Sequence, residues 1–370
     1  MSTSFDFHGL VGQAVARKAS DIHLQSGRVP FFRIDGEIES VEDRKVESAD
    51  LDSIVSLVCD QNALAALRGD ERGAVDRSYS VEGQCRLRVS IARTLSGITI
   101  VCRLIPNQIP TIDDVGLPEV FKRIAMEESG FVLIGGVTGS GKSTTVAAMI
   151  EHANQYHRKH VVTVEDPIEF VHEPRKCIFS RREINHHLGH FANGLRTALR
   201  QDPDILLVGE MRDRETMKAA IQAAETGHLV FATVHSAEVD DMPERVIGSF
   251  PEMEQPQIRQ QLANVGLAFI AQKLVRRCDT NGRTGAFEIL LMNNAARNLI
   301  RNKKSFNLPS IMQTEGRAGM TTMTQSLISL YRKGKIDGPT MVQNASNKER
   351  AREVMLEGTG LDASQASFLD

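Results

Sequence analysis

Apolar positions recur at helical spacing over residues 5–17, which predicts a helix near the start of the chain. Short runs at 21–25 and 31–34 then read as strands, with Asp35-Gly36 as the turn after the second. Ser48 followed by Ala-Asp-Leu is a helix start, and that helix is expected to run to about Leu67. Residues 86–92 and 97–104 read as two more strands. Together these elements describe an α+β unit, placed at residues 1–104.

Pro106 and Pro110 disfavour helix and mark an extended connector over 105–114. From Leu117 the pattern changes, and apolar runs at 131–137, 160–165, 205–209 and 229–235 alternate with helical stretches. Val161-Val-Thr-Val164 and Ile205-Leu-Leu-Val208 are continuous rather than alternating, as in strands buried on both faces of a parallel sheet. A doubly wound α/β core is therefore expected over 115–290. A helical part is expected over 291–357, and a disordered tail of small polar residues over 358–370.

Composition narrows the function. A net charge of −3 lacks the basic excess of a general nucleic-acid binder, and 5% aromatics with no Trp leave few rings on which bases could stack. The five cysteines form no C-x-x-C pair and read as reduced thiols. The start, MSTSFDFHGL, has neither a basic n-region nor an apolar h-region, so no signal peptide is expected. No apolar stretch approaches the ~20 residues of a membrane span. A cytoplasmic protein follows, without direct membrane insertion and peripheral at most.

Gly136-Val-Thr138-Gly139-Ser140-Gly141-Lys142-Ser143 matches the phosphate-loop pattern G-x-x-x-x-G-K-[ST] in full. A strand leads in, and a helix from Thr144 to about Tyr156 leads out. Gly136, Gly139 and Gly141 let the backbone curl so that successive N–H groups face phosphate oxygens, and the helix N-terminus faces the same anion. Lys142 would contact the β- and γ-phosphates, and Ser143 would offer its hydroxyl to Mg²⁺.

A phosphate loop only holds nucleotide; hydrolysis needs groups that orient water and hold metal. Two acidic sites end strand-like runs, where doubly wound sheets place their ligands. Glu165 is the candidate that positions or deprotonates the attacking water. Glu210 reads as a Walker-B-type carboxylate acting on Mg²⁺ through water, although the usual Asp before it is Gly209 here. His235 ends a third run and is the candidate γ-phosphate sensor, while His228 flanks the start of that run and is a second candidate at the nucleotide. His186, His187 and His190 lack the Cys or carboxylate spacing of a metal site, which favours a solvated loop or an interface.

The phosphate loop, Val164-Glu-Asp-Pro-Ile-Glu-Phe170, Gly209-Glu-Met-Arg-Asp213 and Thr226-Gly-His-Leu-Val-Phe-Ala-Thr-Val-His235 together resemble the secretion ATPases, in which they form the Walker A, Asp, Walker B and His boxes. Within that family the chain resembles the PilT/PilU group of type IV pilus retraction ATPases, from Ala19-Ser-Asp-Ile-His23 to about Ile336. Ala295-Ala-Arg-Asn-Leu-Ile-Arg-Asn302 is similar to that group's AIRNLIRE motif, with departures at Ala296 and Asn302. The resemblance implies a PAS-like N-terminal domain, a RecA-like ATPase domain, a homohexamer and ATP held between the two domains. It implies that Arg88 and Arg103 reach the phosphates; from the residues alone, rim salt bridges are the better reading of these two. It also implies an inner-membrane platform protein as partner, with a paralogous retraction ATPase as another. A DotB-like ATPase of type IV secretion is the alternative, suggested by the stretch 183–200. A nucleic-acid motor is disfavoured by charge, and a GTPase by the lack of any N-K-x-D sequence.

Overall fold

Cys85 to Ile91 alternates buried and more accessible residue by residue, with Leu87, Val89 and Ile91 fully buried and Arg86, Arg88 and Ser90 on the other face. That period of two belongs to a sheet covered on one side only. The computed structural model describes the chain except residues 1–4, 35, 42, 70–72, 106–107, 185–189 and 360–370. It divides into two compact units.

The first unit comprises Met1–Ile109 and the short segment Pro167–Val171. Its elements are α1 (Phe7–Ala16), β1 (Asp21–Gln25), β2 (Phe31–Ile34), β3 (Glu37–Ser40), α2 (Ser48–Val58), α3 (Gln61–Gly69), β4 (Ala74–Val81), β5 (Cys85–Thr94) and β6 (Gly97–Ile105). The strands form one antiparallel sheet in the order β3-β2-β1-β6-β5-β4. Leu10 and Val11 of α1, Leu51 and Ile54 of α2 and Leu67 of α3 pack on its apolar face against Ile22, Leu24, Phe32, Leu87, Val89 and Ile100. This is the α+β architecture expected of the PAS-like unit. The single helix expected from Ser48 to Leu67 is two, because the chain breaks at Cys59 and the Asp60 carboxylate accepts the Ala63 N–H to start α3 (2.8 Å). The edge strands β3 and β4 carry too many polar residues to be read as strands from sequence. The Asp35 turn lies outside the described residues.

The second unit comprises Pro110–Asp166 and His172–Asp370. Its core elements are α4 (Val120–Ala125), β7 (Gly130–Gly135), α5 (Lys142–Tyr156), β8 (His160–Glu165), β9 (Ile178–Glu183), α6 (Phe191–Ala198), β10 (Ile205–Val208), α7 (Arg214–Glu225), β11 (Leu229–Val234), α8 (Asp241–Gly248), α9 (Gln255–Val265), β12 (Gly266–Arg276) and β13 (Arg283–Leu291). The sheet order is β13-β12-β7-β11-β10-β8-β9, parallel throughout except for the antiparallel β12–β13 pair. Val162, Leu206, Val230 and Leu133 face α6, α7 and α9 on one side. Val161, Leu207, Phe231 and Ile134 face α4 and α5 on the other. Burial on both faces explains the uninterrupted apolar runs. This is a RecA-like sheet sandwiched between helices.

Beyond Arg277 the chain is mainly helical: β13 comes first, and α10 (Asn294–Arg301), α11 (Leu308–Thr314), α12 (Met323–Arg332), α13 (Gly338–Asn344) and α14 (Lys348–Thr359) follow. Met323, Leu327, Met341 and Val354 of these helices pack on Val275 and Ala286. The helical part is therefore fastened to the sheet edge. Gly358 and Thr359 belong to α14, which corrects the start expected for the tail; residues 360–370 lie outside the described residues. The five cysteines are free thiols, and burial pushes the fully enclosed Cys102 up to about 12. No described helix is long and apolar enough to cross a membrane.

Candidate active site

Parallel pairing puts the C-terminal ends of neighbouring strands at one sheet edge. Gly135 is in register with Val234, and Val208 with both Ala232 and Val164. The residues that follow these strand ends therefore meet there: the phosphate loop after β7, Glu165 at the end of β8, Glu210 after β10 and His235 after β11. This is the edge where an α/β sheet receives its ligand.

The loop has the strained backbone its glycines permit. Gly136, Gly139 and Gly141 have φ of 152°, 77° and 89°. A Cβ on Gly136 would lie 2.6 Å from the Gln272 carbonyl oxygen, so the turn could not close with a larger residue there. Gly141 is the N-cap of α5 and supplies no side-chain cap, which leaves the first amides of the helix as anion donors. Val137, Thr138 and Gly139 are exposed at the tip, Ser143 is exposed and Thr144 half-buried at the start of the helix. Ser140 is 2% exposed, and its hydroxyl has no hydrogen-bond partner among the described residues. An orphaned buried donor in a cradle of left-handed glycines fits a phosphate group. Lys142 Nζ donates to the carbonyl oxygens of Gly136 (2.8 Å) and Val137 (3.1 Å), which holds the ammonium over its own loop.

Glu165 is 9% exposed, and its carbonyl accepts the Ile184 N–H at 2.9 Å. Its register neighbour on β9 is Glu183, itself buried. Gly209 explains the departure from the usual Asp: its N–H donates to Val164 (2.8 Å), and a Cβ there would come within 3.2 Å of the Glu165 Cα. Close passage of the two chains favours glycine at 209. Glu210 is gripped from two sides, by Arg212 at 2.7 Å and His235 at 3.0 Å. Burial works against its ionisation, but Arg212, His235 and Lys142 outweigh it and hold the carboxyl below its ordinary value. Two of the roughly four lone-pair sites of the carboxylate remain for water or metal. Asp213 caps α7 by accepting the Thr216 N–H at 2.8 Å, a structural role.

His228 does not join this group. Leu229 pairs with Gly130 at the opposite end of the sheet, five residues and roughly 16 Å from the loop. Its ring is held by the Ala223 carbonyl (2.8 Å) and the Thr226 hydroxyl (3.0 Å), so His228 lies away from the phosphate loop, contrary to the expectation from sequence. His186 and His187 lie outside the described residues, and His190 precedes α6 without capping it. Among the described residues no cluster of His, Cys, Asp and Glu can hold a metal by itself.

Arg88 and Arg103 lie within the first unit and are direct register partners on the exposed face of its sheet. The row continues through Asp21 to Arg33, so three guanidiniums share one short ladder with a single carboxylate. Arg103 Nε donates to Asp21 at 2.9 Å, and Arg88 lies 3.9 Å from Glu169. Like charges placed opposite one another destabilise a sheet, and only Arg103 has a close partner in this row, the buried Asp21.

Sequence reasoning missed Arg212, Gln272 and Glu183. Arg212 stood inside a quoted motif without a role. Gln272 and Glu183 sit in strands that were not recognised, so no pattern drew attention to them.

The model of the type II/IV secretion system protein family matches residues 6–354. The chain is 38% identical over 348 residues to the type IV pilus retraction ATPase PilT of Pseudomonas aeruginosa, covering 94% of this chain and 99% of that one. A crystal structure of the pilus retraction motor PilT with bound ADP superposes with a TM-score of 0.86 at 36% identity, over 94% of this chain and 99% of the other. The ATPase DotB of Legionella pneumophila gives 0.78 at 29% identity, over 94% and 93%.

Proposed function

From the premise that this chain belongs to the type II/IV secretion system protein family and is an ATPase, we propose that it powers type IV pilus retraction, as a homohexamer docked on an inner-membrane platform protein. The reading rests on end-to-end likeness to a retraction ATPase together with four chemical elements meeting at one sheet edge. The likeness to DotB is lower in both TM-score and identity, so secretion is the second reading.

In this reading the loop amides of residues 136–144 and the N-terminus of α5 bind the phosphates, and Lys142 neutralises the β- and γ-oxygens. Ser143, with Glu210 through water, would hold Mg²⁺, which when bound offsets charge between the phosphates. Glu165 accepts a proton from the attacking water or orients it. His235 reports the γ-phosphate, and its bond to Glu210 passes that signal to Arg212 and the start of α7. Arg88 and Arg103 supply guanidinium charge to the transferring phosphoryl group. The protein acts in the cytoplasm, peripheral to the membrane through its partner, and a paralogous retraction ATPase is a further partner.

Deleting the gene is expected to abolish twitching motility while surface pili persist. Normal retraction in the deletion strain, observed by microscopy of labelled pili, overturns the assignment. For the arginines, Arg88→Ala is the cleaner probe, because removing Arg103 would strip the 5%-exposed Asp21 of its nearest cation. Arg88→Ala is expected to lower ATP turnover about 10²-fold with hexamer mass unchanged. Unaltered turnover in intact rings would return Arg88 to the status of a surface ion pair.

A further inference from the structure

We infer that Gln272 is a positioning residue for the phosphate loop, clamping its two ends so that the amide cradle keeps its width. The inference rests on the ATPase reading of that loop and adds a residue on a different strand.

Ala271 of β12 is in register with Gly135, the last residue of β7, so Gln272 stands beside the first residue of the loop. Its carbonyl oxygen would lie 2.6 Å from a Cβ on Gly136, and its Nε2 2.8 Å from a Cβ on Gly141. Main chain and side chain of one residue thus occupy the space that a side chain at the first or last glycine of the loop would need. Its Oε1 accepts the Thr145 hydroxyl at 2.7 Å, in the first turn of α5. Both residues are buried, at 3% and 2% exposure. A Gln amide buried beside Phe269, Ile270 and Ala271 carries a desolvation cost that a methionine of similar length would not. The amide contributes what a thioether cannot, a fixed distance between β12 and the start of α5.

The clamp is also one strand from the helical part of the unit. Gln272 pairs with Phe287 on β13, whose N–H donates to Ser326 of α12 at 3.0 Å. Displacement of α12 therefore has a short covalent and hydrogen-bonded route to the loop.

Phosphate-loop amides contact nucleotide in ground and transition states alike, so loosening them removes uniform binding. Gln272→Met is expected to raise the Kd for ATP and for ADP about tenfold while kcat at saturating ATP changes less than threefold. Thr145→Val removes the same bond from the other side and is expected to match it. Thr145→Ser keeps the hydroxyl and is expected to bind as wild type does. The double variant Gln272→Met with Thr145→Val should be no weaker than either single change, as for two halves of one interaction. Binding is read with a fluorescent ADP analogue on the full-length protein, and turnover by phosphate release. Wild-type affinity in Gln272→Met, or additive losses in the double variant, overturns the clamp. If Gln272→Met does not fold, the Thr145→Val and Thr145→Ser pair decides alone: equal affinities there also overturn it. Wild-type protein that binds no nucleotide would instead overturn the ATPase reading, which keeps the two failures distinct.

Discussion

Glu165→Gln is expected to keep ATP bound within a few-fold of wild type and to slow hydrolysis by roughly 10²–10⁴, the ordinary contribution of a positioned proton acceptor. The amide has the volume of the carboxylate and can still accept a hydrogen bond, so the end of β8 should not move. That end is pinned independently of the side chain, by the Ile184 N–H on the Glu165 carbonyl and by the Gly209 N–H on Val164. What the amide cannot do is take a proton. The adjacent acids sharpen the test. Glu183 stands beside Glu165 on β9, and Glu210 is already committed to Arg212 and His235. Single-turnover phosphate release and equilibrium nucleotide binding, measured on the same preparation, separate the two halves of the expectation. Normal turnover in the variant would remove Glu165 from the chemistry and make Glu183 the next residue to change.

The strands that carry the site were legible because they are buried on both faces. Val161–Val164 and Ile205–Val208 have no polar position to offer solvent, so composition alone marks them as strands of a parallel sheet. The phosphate loop was legible because close backbone approach permits few residue types. The remainder failed for reasons that lie in tertiary structure. β9 reads Ile-Phe-Ser-Arg-Arg-Glu, and at a sheet edge its basic residues can leave the core. β12 follows α9 directly, Gly266 being both the C-cap of the helix and the first residue of the strand, so the local pattern shows no boundary. With β12 unread, Gln272 had no place beside the loop. His228 and His235 lie in one motif seven residues apart, and sequence spacing could not say that a six-residue strand separates them by the length of the sheet. Gly209 looked like a departure from a metal-binding pattern; the approach of the Glu165 backbone supplies its physical reason.

Lys142→Ala should have the largest effect on nucleotide. Hydrogen bonds to charged groups contribute about 1.5–3 kcal/mol, so Kd for ATP should rise roughly 10- to 150-fold and turnover should fall below detection. The fold should tolerate the change. Lys142 is half-buried and bonds to the carbonyls of Gly136 and Val137 at the exposed end of the loop, so the thermal midpoint should shift by only a few degrees. A second consequence separates loss of a phosphate contact from general damage. Lys142 is one of three basic side chains that hold the Glu210 carboxyl below its ordinary value against burial, with Arg212 and His235. Removing it raises the Glu210 pKa, because desolvation then meets less opposition. A carboxylate whose folded pKa is depressed loses its charge as pH falls through that pKa, so any residual binding that depends on ionised Glu210 should fail at a higher pH in Lys142→Ala than in wild type. Titrating nucleotide from about pH 7 to below 4.5, the ordinary carboxylate value beneath which the depressed Glu210 titrates, reads that displacement in both proteins. A variant that binds ATP as wild type does, with the same acid limb, would mean that the ammonium neither grips phosphate nor feels Glu210, and the electrostatic account of the site would fall.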